Sequence, residues 1–266
     1  MKEFLENFIS RTPTTDSAFE FFELTHLLLI FSCMFFFIFF AMLWARKGLK
    51  FQKVSVFLAT LFTTLIEGAR IVWRYFFLQE SGGDMSFWNI VSFDLYTVCL
   101  WISLLMLYIC VFQNPKKKFC QICYSFIFSV TTITAFFGIM YPENMYQNFE
   151  ILHFSNIQFL ISHTMVMLIC IFFAISDWLE NDRFEDLWYA ILSLIILGAV
   201  GAGIYFASGQ TLNIMYMKSC TILVDLGLKL PWPWHIPVMG AFFFVAQIFF
   251  YLPFNWHRKR KEKKHK

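Results

Sequence analysis

Four ionisable residues stand inside stretches of this chain that are otherwise long and apolar: Glu67, Arg70, Asp94 and His163. A charged side chain at the centre of a bilayer costs about 2.5–3.5 kcal/mol on insertion scales, so such groups face a cavity or a partner. Histidine is suited to general-base work near neutral pH. An acidic neighbour can orient an imidazole and stabilise its charged form, and a hydroxyl or thiol can serve as nucleophile. The candidate catalytic set is therefore His163, Asp94, Thr97 and Cys99. Arg70 and Arg74, with the planar fork that suits phosphate or carboxylate, form a candidate substrate-binding set with Glu67, Tyr96, Asn213, Trp232 and Trp234. Glu67 and Arg70 are three residues apart and share a helical face, and Arg74 continues it. The competing reading is structural: Glu67, Arg70 and Asp94 form an ion-pair network that fixes helix packing, and His163 is a hydrogen bonder between helices.

The elements that position these residues follow from composition. Of 266 residues, 59% are hydrophobic and 15% charged, which leaves too little polar surface to coat a water-soluble globule. Seven apolar runs cover 24–45, 54–76, 87–112, 119–140, 154–176, 187–207 and 236–254. Each is close to the ~20 residues that cross a bilayer as a helix. Lipid offers no partner to exposed backbone groups, and the runs lack the period-2 alternation of a membrane barrel. The expected fold is all-α, a polytopic membrane helix bundle of about seven transmembrane helices. Three organisational parts are expected: an extracytoplasmic segment 1–23, a single transmembrane domain 24–256 and a basic cytoplasmic tail 257–266. The first run is too long for a typical signal-peptide core, so no cleavage is expected.

Orientation follows from Lys and Arg. Arg46, Lys47, Lys50 and Lys53 lie between the first two runs, Lys116–Lys118 between the third and fourth, and Arg258–Lys264 after the last. With seven spans all three clusters fall on one side, which the positive-inside rule assigns to the cytoplasm. The N-terminus is then outside, and localisation is a multi-pass cell-membrane protein. On that topology Glu67, Asp94 and His163 lie about 10–14 Å below the outer surface, at a level where one pocket can hold all three. Pro231, Pro233 and Pro237 preclude a regular helix over the end of the last outer loop, which is read as a structured outer lid or a partly re-entrant segment. The glycine-rich run 198–203 is read as a site of close helix packing in preference to a flexing stretch such as a transporter would use.

Several classes are excluded. The odd set of seven Cys, nearly all in apolar runs, does not suit a disulfide framework. Cys120 and Cys123 form a lone CxxC with no second ligand pair, so neither metal nor cofactor is expected. There is no phosphate loop, nucleotide fingerprint or HExxH, and the short basic tail suits anionic headgroups, not nucleic acid.

Four segments resemble motifs of the YwaF-like bacterial membrane proteins, which are related to the transmembrane protein 164 group. They are Ser92-Phe93-Asp94-Leu95-Tyr96-Thr97, the stretch 159–163 ending in Ser162-His163, Leu212-Asn213-Ile214-Met215-Tyr216-Met217, and Leu230-Pro231-Trp232-Pro233-Trp234. Their order and spacing agree over roughly residues 50–255. The resemblance implies a compact fold of six to seven helices and acyl transfer on phospholipids through a membrane Cys and His. His163 matches the family His. At the family Cys position this chain has Tyr96, and at the preceding His position it has Asp94. Cys99 lies one turn deeper, and Thr97 is the other nucleophile implied.

The leading expectation is acyl transfer or hydrolysis on a membrane lipid, with membrane lipids as partners and an acyl or small-molecule substrate. In this reading Asp94 or Glu67 orients His163, and Asn213, Trp232 and Trp234 cover the pocket. Two alternatives stand beside it: a solute- or ion-binding transporter using the same polar groups, and a non-catalytic membrane scaffold or receptor.

Overall fold

The computed structural model describes residues 7–11, 24–91, 95–140, 152–176, 178–179, 187–209, 223–224 and 227–264. Among them every long element is helical. In chain order these are α1 (Leu24–Ala45), α2 (Leu49–Ser81), α3 (Phe87–Val91), α4 (Leu95–Cys110), α5 (Lys118–Phe126), a π-helical turn Ile127–Thr131, α6 (Thr132–Met140), α7 (Phe154–Ile175), α8 (Leu187–Ala207) and α9 (His235–Lys264). Five described helices are long and apolar enough to cross a membrane, and α4 and α8 supply two shorter apolar stretches. The protein is thus an all-α polytopic helix bundle. Asp94 and Asn213 lie outside the described residues, as does most of the acidic loop 177–186.

The chain divides into two compact units. Unit 1 comprises Met1–Val91 and Ala135–Ile171, and unit 2 comprises Ser92–Thr134 and Phe172–Lys266. In unit 1, α1 buries only a narrow stripe, His26, Ile30, Phe37 and Ala41. That spacing keeps one side of the helix inward, while Phe31, Phe35 and Phe39 remain exposed. Phenylalanine outside is uphill in water and downhill in lipid, which explains the aromatic wealth of this helix.

Helix α2 runs 33 residues, longer at both ends than its apolar run. Its buried face is Gln52, Val56, Ala59, Thr60, Thr63 and Glu67. The hydroxyls on this face are satisfied within the helix: Thr60 Oγ1 donates to the Val56 carbonyl and Thr63 Oγ1 to the Ala59 carbonyl, both at 2.8 Å. Gln52 Nε2 donates to the Ala45 and Lys47 carbonyls and so pins the basic turn joining α1 to α2. At the other end Gly82, at φ 67°, adopts the left-handed conformation that closes a helix, with its N–H on the Leu78 carbonyl.

Unit 2 is organised around α5, which buries one face, and the π turn, whose residues are all buried. Gln121 Nε2 donates to the carbonyls of Pro115 at 2.7 Å and Trp178 at 2.6 Å. Tyr124, Phe173 and Trp178 pack ring on ring. Ser103 and Thr131 hydroxyls meet at 2.6 Å, and Ser129 and Tyr251 hydroxyls at 3.0 Å. Two expectations change here. Residues 231–234 are non-helical, but α9 begins at His235 and takes Pro237 into its first turn. A first-turn N–H has no partner inside the helix, so proline costs little there. The glycine run of α8 is not a close-packing seam at Gly198 or Gly203, where an added Cβ would meet nothing within 4 Å.

Candidate functional site

The buried face of α2 delivers Glu67, at 1% exposure, to the interior of unit 1. A carboxylate there needs strong partners. It has two: Arg70 Nε donates to Glu67 Oε2 at 2.8 Å, and Gln158 Nε2 on α7 donates to Oε1. The three-residue spacing within one helix makes the ion pair local, and Gln158 carries it to a second helix. Arg70 Nη2 donates to the Val91 carbonyl at 3.1 Å, closing the end of α3. Arg74, one turn further along, donates from Nε to the Asn89 carbonyl. Asp84 holds the start of α3, accepting from the Ser86 N–H at 2.9 Å and from Asn89 Nδ2.

His163 is fully buried on α7. Its backbone lies five residues past Gln158, but helical side chains lean toward the N-terminus, and the ring bends back to the Phe159 carbonyl. Nδ1 lies 2.7 Å from that carbonyl, and the Phe159 ring covers the imidazole at 3.8 Å between centroids. A carbonyl only accepts, so Nδ1 carries the proton and Nε2 holds the lone pair in the neutral ring. Arg70 lies within electrostatic reach of the ring. On the other side is Gly138 of α6: a Cβ there would stand 2.3 Å from Nε2 and from Cδ2. Only hydrogen in place of a side chain at 138 leaves room for the ring.

Unit 1 therefore gathers Glu67, Arg70 and His163, and adds Gln158 and Gly138. Glu67 accepts from Arg70 and Gln158, and the Phe159 carbonyl is the partner of His163 Nδ1. Thr97 and Cys99 belong to unit 2, both buried on α4. Two residues apart, they point about 200° from each other around the helix, so they cannot serve one pocket together. Tyr96 lies in the same helix. Trp232 and Trp234 are exposed at 56% and 66% before α9, as suits rings at a membrane interface. Gln158 is a polar residue five positions before His163 in the same apolar run. Gly138 left a fainter trace, a single small residue between Phe137 and Ile139.

Among the described residues no group of three metal-ligating side chains is placed to hold an ion. Apolar helices that bury a paired carboxylate and guanidinium beside an imidazole define a polytopic integral membrane protein. More narrowly, the chain belongs to the TMEM164 family, whose model matches residues 21–251. Neither curated proteins nor solved structures gave a match.

Proposed function

We propose that this protein carries out hydrolysis or acyl transfer at an ester of a membrane lipid, with His163 Nε2 as general base. The observation that carries the reading is the state of His163: Nδ1 is occupied by the Phe159 carbonyl, so in the neutral ring the lone pair lies on Nε2, the nitrogen that packs against Gly138 of α6. In hydrolysis Nε2 takes a proton from water as its oxygen adds to the ester carbonyl. The ester C–O bond then breaks, and the imidazolium returns the proton to the departing alcohol. In transfer, the hydroxyl of an acceptor lipid replaces water. Arg70 supports substrate placement, since its Nη1 has no hydrogen bond among the described residues and suits a lipid oxygen. Glu67 neutralises the Arg70 charge, so this is hydrogen-bond recognition more than bulk attraction of an anion. The acyl transfer implied by the resemblance to the transmembrane protein 164 group supports the same chemistry, and Tyr96 at the family Cys position favours water or a lipid hydroxyl as the attacking group.

The test is comparative lipidomics of membranes carrying wild type and His163→Ala at matched expression. Specific acyl species are expected to change only with wild type. Identical profiles from two folded proteins would overturn the catalytic reading and favour solute binding by the same polar groups. Thr97→Val and Cys99→Ala, run alongside, ask whether the protein supplies its own nucleophile.

A further inference from the structure

At the end of unit 1 away from the basic turn 46–53, residues Asn7–Arg11 lie across the last turns of α2 and the first residue of α7. Trp73 Nε1 donates to the Ile9 carbonyl at 3.3 Å. His153 Nε2 meets the Ser10 carbonyl at 2.8 Å. Arg11 pairs with Glu80 and sets its guanidinium 5.0 Å from the Phe76 ring centre. Phe8 stands edge-on to Phe154 at 6.1 Å. Trp73 is six residues outward of Glu67, and His153 five residues outward of Gln158. The segment therefore crosses about 7–9 Å beyond the Glu67–Gln158 bond.

The two nitrogens of His153 have opposite duties. The Ser10 carbonyl only accepts, so Nε2 carries hydrogen. The Ser155 N–H only donates, and it meets Nδ1 at 3.1 Å, so Nδ1 must hold a lone pair. The His153 carbonyl accepts from Asn156 and Ile157 N–H groups, which makes His153 the N-cap of α7 with its ring as capping acceptor. Protonation would turn Nδ1 into a donor facing a donor. It would also set a positive charge at the positive end of the helix dipole.

We propose that Ile9–Arg11 is an intramolecular cover over the polar site of unit 1, latched by neutral His153 and released when acid protonates it. The naming of what is covered rests on the site reading above; the latch itself does not. The charged groups on the elements packed against His153 among the described residues are Arg11 and its partner Glu80, and Arg74 next to Trp73, whose ring stands edge-on to the imidazole at 5.3 Å. A step from about pH 7.5 to about pH 5.5 spans the ordinary histidine range, and Glu80→Gln separates the carboxylate from the imidazole.

Hydrogen–deuterium exchange of the full chain in lipid nanodiscs, corrected for intrinsic rates, reads the peptides covering 7–11 and 153–157 at both pH values. Exchange is expected to rise about five- to tenfold at the lower pH, the effect of losing one typical hydrogen bond from a local opening. His153→Gln can accept and donate at the same two sites without titrating, and it should abolish the pH response. Glu80→Gln should keep it. Trp73→Phe should raise exchange at 7–11 at both pH values. A wild type indifferent to pH, or a response that survives in His153→Gln, overturns the latch. Unchanged exchange at 7–11 in Trp73→Phe overturns the docked cover. The readout needs no substrate, so failure of the lipid chemistry would leave it unaffected.

Discussion

Unit 1 and unit 2 both bury polar side chains within apolar helices, but with different chemistry. Unit 1 holds a full ion pair, Glu67 with Arg70, braced by Gln158 and set beside His163. Unit 2 holds neutral pairs: Ser103 with Thr131, Ser129 with Tyr251, and Gln247 donating to the Ser129 carbonyl in the π turn. A hydroxyl pair satisfies itself at small cost and holds helices in register. A buried ion pair is a poor way to gain stability, because desolvation offsets most of the attraction. Among the described residues such a pair is present in unit 1 alone, and that is the reason to locate chemistry there. The π turn of unit 2 has a packing account: changing the hydrogen-bond register frees a carbonyl, and the Gln247 amide occupies the one on Ser129.

Breaking the ion pair should show the contrast most strongly. Arg70→Met or Glu67→Gln leaves a buried group without its partner and should cost about 3–5 kcal/mol in detergent unfolding. The double variant Glu67→Gln/Arg70→Met should regain most of that loss. Single costs no larger than those in unit 2 would mean that the two polar regions do not differ in kind.

Next in size is Gly138→Ala, whose new methyl meets the His163 ring and should cost about 1–3 kcal/mol by overpacking. Gly68→Ala, also within a helix but with nothing within 4 Å of the new Cβ, should instead stabilise by about 0.5–1 kcal/mol. Adding His163→Ala to Gly138→Ala should remove most of the penalty. An unchanged penalty would mean that the glycine serves the backbone and not the imidazole.

In unit 2, Gln247→Leu withdraws the amide from the Ser129 carbonyl and should cost about 1–2 kcal/mol. Smallest of all, Tyr251→Phe should cost about 0.6 kcal/mol, the average for a hydroxyl bond between membrane helices. Neither should alter the lipid profile. A unit-2 variant that stays folded and still abolishes a lipid change dependent on His163 would end the division of labour between the units.

The helices were legible because lipid imposes a one-dimensional rule: about twenty apolar residues in a row must become a helix. The expected 24–45 and 187–207 coincide with α1 and α8, and the other runs overlap α2, α4, the α5–α6 segment, α7 and α9. The pairing of Glu67 with Arg70 was legible for the same kind of reason, since three residues along a helix bring side chains together without help from the rest of the chain. The ends of α2 were not, because polar residues beyond the apolar run extend the helix into the interface where hydropathy is silent.

Long-range choices belonged to the tertiary structure. Glu67 had no reason in sequence to select Gln158, 91 residues away. His163 Nδ1 took its own Phe159 carbonyl, which fixes the tautomer, and a glycine from a different helix makes room for the ring. The hydrophobic pattern records which residues must leave water. Which polar atoms then meet depends on helix rotation and packing, and only side chains brought together from distant helices can set those.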